Sequence, residues 1–457
     1  MRAAALALAV LAVLAPMARG EPMVLDATAM RQLADKAIDA GFGADALDIL
    51  DALLLRDPAD ATALILRSQA LRLLGRYDEA ESSARAGYAA ADSDPGRFGA
   101  AMVLAQALSL QDRRIAAQLW LRRAAQDAPN DRLRAVAERD FELVRAATPL
   151  TLSFALSLTP SSNVNNGARD PVFELPGGYI CPIGCLGEAT GAALALSGLQ
   201  GAVGAGAQYR WHDSQSAQGV ISTTLSHGFV VLSSEAKALA PSSTSADFAV
   251  TSLDFGLSES RYSAGSGAIY RLALNTGRVW YGGTPLSDYA AAELSLTLPV
   301  SESLSLNGAV SRQVQASAVS GDLSGRLSDG SFGAQLRLAA GDMIGAEFSV
   351  GNTQAPSAFS ENQRQSVSLR WRAGQSIWGL GLSAVARLSA LRYDTSLYSF
   401  DGRRDLGANL SLSAAVEALD YMGFVPVITL EADRNWSDNG LYDSETFGVG
   451  IGVTSKF

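Results

Sequence analysis

The chain has 457 residues, with 36 Lys plus Arg against 46 Asp plus Glu and a formal net charge of −10. That balance excludes the basic footprint of a nucleic-acid-binding protein, so no nucleic-acid partner is expected. Only 18% of residues are charged, 48% are hydrophobic and Gly numbers 43. This composition is odd for a soluble protein of this size and natural for a β-barrel with a lipid-facing side and a small-residue, lumen-facing side.

The first element is a targeting segment. Arg2 precedes an unbroken Ala/Leu/Val run from Ala3 to Leu14, Pro16 breaks it, and Ala18-Arg19-Gly20 offers small residues at cleavage spacing. Residues 1–20 are therefore predicted to be a signal peptide, too short in its apolar run to span a membrane. No Cys lies nearby, so a lipid-anchored N-terminus is not expected. The longest later apolar stretch, Gly191 to Gln208, is broken by Ser197, Gly198 and Gln200, which excludes a helical membrane span.

Residues 21–147 are predicted to be an all-α periplasmic domain. Gly41-Phe42-Gly43-Ala44-Asp45-Ala46 opens a helix closing at Asp57-Pro58, and Gly75-Arg76-Tyr77-Asp78-Glu79-Ala80 opens another closing at Asp94-Pro95. Gly41 to Gly75, Ala46 to Ala80 and Pro95 to Pro129 are each 34 residues apart. Ala46, Ala80 and Ala117 allow close helix approach, and Pro ends each pair. The pattern resembles the tetratricopeptide repeat, with three units and a final helix from Asp131 to Ala146. Such a stack implies a groove for a client protein or periplasmic chaperone; the alternative is a spacer or plug supporting a barrel.

After Thr148 the period changes from 3.6 to 2. Leu294, Leu296, Leu298 and Val300 alternate with Glu293, Ser295 and Thr297; Val367, Leu369 and Trp371 alternate with Ser366, Ser368, Arg370 and Arg372. Residues 148–457 are predicted to be an antiparallel transmembrane β-barrel of about 14 strands. The segments are 150–158, 190–211, 217–232, 246–261, 268–281, 288–300, 304–315, 327–341, 344–354, 362–374, 377–393, 405–419, 424–435 and 444–457. Connections after even strands should be short, as at Ser301-Glu302-Ser303, Gln375-Ser376 and Asp420 to Gly423. Those after odd strands should be long and external, as at 159–189, 233–245 and 394–404. Phe447, Val449, Ile451, Val453 and Phe457 share one face of the last strand and end on an aromatic residue, resembling the closing-strand signal read by the barrel assembly machinery.

Few residues carry chemistry. Cys181 and Cys185 in Cys-Pro-Ile-Gly-Cys read as a small disulfide loop in an exported chain; a metal reading is weak without His or further Cys nearby. His212 and His227 are the only histidines. His212 falls in a predicted turn, and neither has a nucleophile and orienting acid, so no enzyme, metal or cofactor is expected. The phase of the strands places Arg370, Arg372, Arg387, Glu417, Glu431 and Asp433 inside the barrel, either as a functional lumen lining or as an ionic network that stiffens the wall.

Pro160-Ser161-Ser162-Asn163-Val164-Asn165-Asn166 after the first strand, Arg403-Arg404-Asp405 before a later one, Arg434-Asn435-Trp436-Ser437-Asp438-Asn439 and the final strand to Phe457 share one chain with a short repeat domain. Together they are similar to the surface lipoprotein assembly modulator (Slam) family, the outer-membrane translocons of type XI secretion. The resemblance implies delivery of client lipoproteins or secreted soluble proteins across the outer membrane, with the barrel embedded in its lipid. Nothing in the sequence suggests a trimer, and a monomer is the default expectation. The competing readings are a polysaccharide exporter, which would carry more repeats and more aromatic residues, and a diffusion porin, for which the repeat domain is superfluous.

Overall fold

The computed structural model describes residues 25–320 and 324–455. The expected signal peptide and Phe457 lie outside the described residues. The chain forms two compact units that divide between Arg145 and Ala146.

The first unit is helical: α1 Ala27–Asp39, α2 Gly43–Arg56, α3 Ala61–Leu73, α4 Tyr77–Ala90, α5 Asp94–Leu110, α6 Arg114–Asp127 and α7 Asp131–Ala147. Helices α1/α2, α3/α4 and α5/α6 are the three repeat pairs. Ala46, Ala80 and Ala117 sit on the second helix of each pair at 0% exposure, so the small side chain is what permits the close approach. Leu50, Leu71, Leu104 and Leu108 are fully buried between the pairs. Asp60 caps α3 by accepting from the Ala63 N–H at 3.0 Å and also receives Arg31 of α1 at 2.9 Å. In α7, Phe141 is buried beneath the Arg122 guanidinium, 4.6 Å above its ring.

The turn inside each pair is the same left-handed cap. Gly41 (φ 82°) and Gly75 (φ 73°) end the first helix, with the following amides of Phe42 and Arg76 returning to Ala37 and Leu71 carbonyls. In the third pair Asp112 takes that place at φ 60°, and Arg113 returns to Leu108. A side chain in this region costs energy that glycine avoids.

The second unit is a closed antiparallel barrel. Its elements are β1 Leu150–Ser161, a small hairpin β2 Val172–Leu175 and β3 Cys185–Glu188, β4 Gly198–Asp213, β5 Ala217–Leu232, a short α8 Ser234–Leu239, β6 Val250–Tyr262, β7 Ile269–Tyr281, β8 Thr284–Pro299, β9 Leu304–Ser317, β10 Gly325–Arg337, β11 Met343–Gln354, β12 Asn362–Arg372, β13 Leu380–Tyr393, β14 Arg403–Val416, β15 Phe424–Ser437 and β16 Ser444–Ser455. Among the described residues β1 and β4 to β16 make fourteen strands, each paired to its neighbours in order. The file containing Leu156, Leu253, Leu294, Val310, Phe348, Val367, Leu410 and Ile451 is apolar and faces out; the file between is Ser, Gly, Ala, Asn and charge. Trp211, Tyr270 and Trp371 ring one edge of the apolar band, and Trp280 and Trp436 mark the other, the girdle arrangement of a barrel in a bilayer. No described helix is long and apolar enough to cross a membrane.

Several strand ends differ from the periodicity, β8 beginning at Thr284 rather than 288 and β10 ending at Arg337 rather than 341 among them, and four of the differences have a local cause. β4 starts at Gly198 rather than 190, because Asn165 takes the Ala192 and Leu194 carbonyls and the Leu196 N–H for itself. β6 starts at Val250, behind a 3₁₀ turn over Ser245–Phe248 closed by a Thr244/Asp247 capping box. The β12–β13 connection is longer than Gln375-Ser376, since Trp378 (φ 53°) and Gly379 (φ 76°) turn the chain out of the ladder. β14 ends at Val416, so Glu417 lies in a 3₁₀ turn.

The ends of the barrel are unequal. At the end where β1 begins and β16 ends, the connections are turns. At the opposite, distal end, residues 162–197 join β1 to β4 and 233–249 join β5 to β6, but Gly282 and Gly283 alone join β7 to β8. The closing ladder is also unequal. Between β1 and β16 the register pairs are Ser157–Gly452, Leu158–Ile451 and Ser161–Gly448, against ten or more pairs at every other neighbour.

Asp112→Gly is expected to stabilise the helical unit by roughly 0.5–1 kcal/mol, and Gly75→Ala to destabilise it by a similar amount. Thermal unfolding followed by far-ultraviolet circular dichroism at the helical minimum reads both; equal stability of wild type and Asp112→Gly contradicts the strain.

Candidate functional site

Strand phase places five of the six predicted lumen charges on the inner file. Arg370 and Arg372 on β12 share a crevice of about 490 Å³ with Glu347, Asn307 and Gln335. There Arg370 approaches Glu347 at 3.8 Å. Arg387 on β13 lies in register with Asn409, which donates to Asp433 on β15 at 2.7 Å. Glu431 faces a separate cavity of about 500 Å³ against the opposite part of the wall, beside Gln200, Val230 and Tyr281. Glu417 is not on a strand and stands apart at the turn end. Two further polar contacts join non-neighbouring strands on the inner file: the ion pair of Arg364 of β12 with Asp329 of β10 at 2.8 Å, and the hydrogen bond from the Tyr289 hydroxyl of β8 to Asp254 of β6. The inner wall is thus a polar, partly neutralised surface.

The cavity beside Glu431 is roofed by the Asn-rich turn. Asn163, 1% exposed, accepts from the Gly167 N–H at 2.9 Å and donates to the Gly167 and Glu445 carbonyls at 3.1 and 3.3 Å. Gln200 of β4 donates to the Val164 carbonyl at 3.2 Å, and Val164 packs into a small core with Leu196, Val230, Leu232 and Ala236. From there the 162–197 loop runs along the distal rim. The Arg169 N–H reaches the Asp443 carbonyl at 3.0 Å, the Ile180 N–H the Leu397 carbonyl at 3.2 Å, and the Phe400 N–H the Gly177 carbonyl at 3.0 Å. Tyr179 meets Phe400 edge-on with centroids 5.2 Å apart. Cys181 and Cys185 are bonded within this loop, their Cα atoms 6.1 Å apart, which is ordinary spacing for a disulfide. Sequence reasoning missed this loop as a fastened cap; the run of Asn was its one signal.

The two stretches of the C-terminal pattern meet at the same rim. The Arg403 guanidinium is held between the Tyr393 and Tyr442 rings at 3.9 and 3.7 Å and pairs with Asp405 at 3.1 Å. Ser437 donates to Asp405 at 2.6 Å, the Arg404 N–H to Asp438 at 3.0 Å, and Arg434 to Asp443 at 3.0 Å. Burial pushes the Tyr442 hydroxyl pKa up, partly offset by the nearby Arg403 charge. These residues brace β14 to β15 and the loop beyond it.

The histidines sit elsewhere. His212 lies at the end of β4, next to a register shift, rather than in a turn. His227 is on the outward file of β5, 2.9 Å from the Thr251 hydroxyl. Among the described residues no group of three or more His, Cys, Asp or Glu is placed to hold a metal. Phe447, Val449, Ile451 and Val453 all face outward on β16.

In the helical unit the polar contacts tie repeat to repeat. Arg72 of α3 donates to Gln106 of α5, and burial lowers the Arg72 pKa. Glu81 of α4 receives Arg85 at 2.9 Å and Arg113, just before α6, at 2.6 Å. Burial pushes the Glu81 carboxyl up, but hydrogen bonds from Arg85 and Gln111 and the charges of Arg113 and Arg85 outweigh it, leaving its pKa below the ordinary carboxylate value.

Because the folded pKa of Glu81 lies below its unfolded value, its contribution is full above the unfolded value of about 4.3 and is lost as pH falls through the folded one. Glu81→Gln is expected to flatten the acid limb of helical-unit stability below about pH 5, read as denaturation midpoint against pH; an unchanged slope contradicts the assignment. At the rim, Asn163→Ala orphans a buried N–H and two carbonyls, a loss of about 1–3 kcal/mol. Tryptic cleavage at Arg169 is then expected to quicken by about tenfold or more, whereas an unchanged rate means that Asn163 does not hold the loop.

No family model matches the sequence, and no curated relative matches it. Among solved structures, the chain is similar to the type III secretion translocator chaperone SycD of Yersinia enterocolitica, at 18% identity over 27% of this chain and 88% of that one, TM-score 0.24. A second SycD structure, in complex with a peptide of the translocator YopD, matches at 20% identity over 26% and 91%, TM-score 0.24. OccAB3 of Acinetobacter baumannii matches at 9% identity over 66% of this chain and 98% of that one, TM-score 0.34.

Proposed function

We propose that this chain is an outer-membrane translocon that delivers specific client proteins across the outer membrane. The observation that carries the reading is the union, in one chain, of a stacked helical-repeat unit with a fourteen-stranded barrel whose inner file is polar. An apolar outer band with aromatic edges fits an outer-membrane β-barrel. The helical unit lies in the periplasm and engages a client or its chaperone, and the distal end with its long loop faces outward. A polar wall of Ser, Asn and partly paired charge holds an extended chain weakly, so that passage is not trapped at one step. The barrel has no energy source of its own, and folding of the client outside draws it through. The chain has no catalytic role and needs no cofactor. A diffusion porin needs the lumen alone and leaves the repeat unit without a task.

The test is surface protease accessibility of proteins encoded near this gene, in cells with the gene, without it, and with residues 25–147 deleted. The expected outcome is a client exposed or secreted only with the intact gene. If no protein changes location while a small solute or glycan crosses more slowly, the barrel is a porin or a glycan exporter.

A further inference from the structure

The outward file of a lipid-facing strand carries charge only at a cost, a few kcal/mol at mid-membrane and little near the interface. Two arginines break that file on adjacent strands. Arg312 lies on β9 between Val310 and Val314, and Arg326 is the second residue of β10. Arg312 is in register with Ser328 and Arg326 with Val314, so the two are diagonal neighbours whose side chains can converge on one point. Both are exposed, and neither has a hydrogen bond or ion pair among the described residues. Three other arginines near this margin are neutralised locally, Arg278 by Asp288 at 2.6 Å, Arg392 by Asp394 at 3.0 Å and Arg434 by Asp443 at 3.0 Å. Arg404 stands without such a pair among the described residues, but beside no second unpaired arginine. The outward files of β9, β10, β11 and β12 contain no carboxylate among the described residues.

The surroundings of the pair are graded along the membrane normal. Beside it the register sets Ser328 against Asn352 and Asn352 against Gln363, all outward. These are neutral donors at the distal margin of the apolar band. Toward the middle of the band the same strands turn apolar at Val310, Phe332 and Val350. Gly330 and Ala292 leave a trough there of about 880 Å³, with Arg312 at its polar end. A second trough of about 680 Å³, floored by Phe255, Leu257 and Leu274, meets it at Arg312. Two guanidiniums without a counter-ion among the described residues, above two apolar channels, match a molecule with an anionic head and acyl tails, since guanidinium binds phosphate in bidentate fashion.

We propose that this face binds a phosphorylated lipid of the distal leaflet, its phosphate clasped by Arg312 and Arg326, its remaining head-group oxygens met by Ser328 and Asn352, and its acyl chains seated in the trough. The site needs only that the barrel lies in a membrane, not that it exports a protein.

The test uses the purified full chain in neutral detergent, with bound lipid counted by native mass spectrometry after addition of lipid A or, separately, phosphatidylcholine. Wild type is expected to retain lipid A in preference to phosphatidylcholine. Retention should fall about tenfold for each guanidinium removed in R312Q and R326Q, the scale of one charge-assisted hydrogen bond, and should be unchanged in R392Q. S328D places a carboxylate between the two arginines and keeps the strand paired; it should abolish retention without loss of heat-resistant folded barrel on electrophoresis. Retention by R312Q/R326Q or S328D at the wild-type level overturns the proposal. So does equal retention of phosphatidylcholine, which makes the troughs mere acyl-chain contacts, and so does displacement of lipid A by millimolar inorganic phosphate, which makes the pair a site for free anions.

Discussion

A peptide group in hydrocarbon has nowhere to place its hydrogen bonds except on a neighbouring strand, and the whole second unit rests on that constraint. Fourteen strands in an open row would still leave two bare edges, so the chain must bring β16 back to β1. That closure is the least secured part of the wall. Below Gly452, residues Val453, Thr454 and Ser455 stay in register with β15 but not with β1. Pro160 on β1 has no N–H to give. The contact that does form depends on glycine: a side chain at Gly450 or Gly448 would collide with Thr159 at 2.6 or 2.9 Å. The ring closes because the last strand is bare on its inner side.

Smallness serves the helical unit in the same way. Alanine at the crossing of each helix pair does for packing what glycine does for the closing strand. The repeat survives the replacement of Gly by Asp at the third turn because the backbone hydrogen bonds of the cap are retained.

Much of this is legible in the residues. The switch from period 3.6 to period 2 near Thr148 marks the change from helices to barrel strands, and alternation alone places Arg370, Arg372, Arg387, Glu431 and Asp433 on the inner file. What periodicity cannot report is where side chains capture backbone. Asn165 removes 192–196 from β4, Thr244 and Asp247 remove 245–248 from β6, and both stretches carry apolar residues that read as strand. Nor can it report partners: Asn163 closes its contact with Glu445 across 282 positions, and the fastening of the 162–197 loop rests on many such distant pairs. Arg312, with Val two positions away on either side, is on the outward file by its phase alone. That Arg326 stands diagonal to it, with no carboxylate on the outward files of β9 to β12 among the described residues, depends on strand register, which no single strand encodes.

The rim of the barrel has a high side and a low side. Over β13 to β16 and β1 it is built up by the fastened loop and the Arg403 brace; at β7 and β8 the wall ends in Gly282 and Gly283. On the translocon reading proposed above, a molecule leaving the lumen would meet a parapet on one flank and a sill on the other. Such a rim would favour an oblique way out over the sill, and the loop would then steer direction even where it blocks nothing.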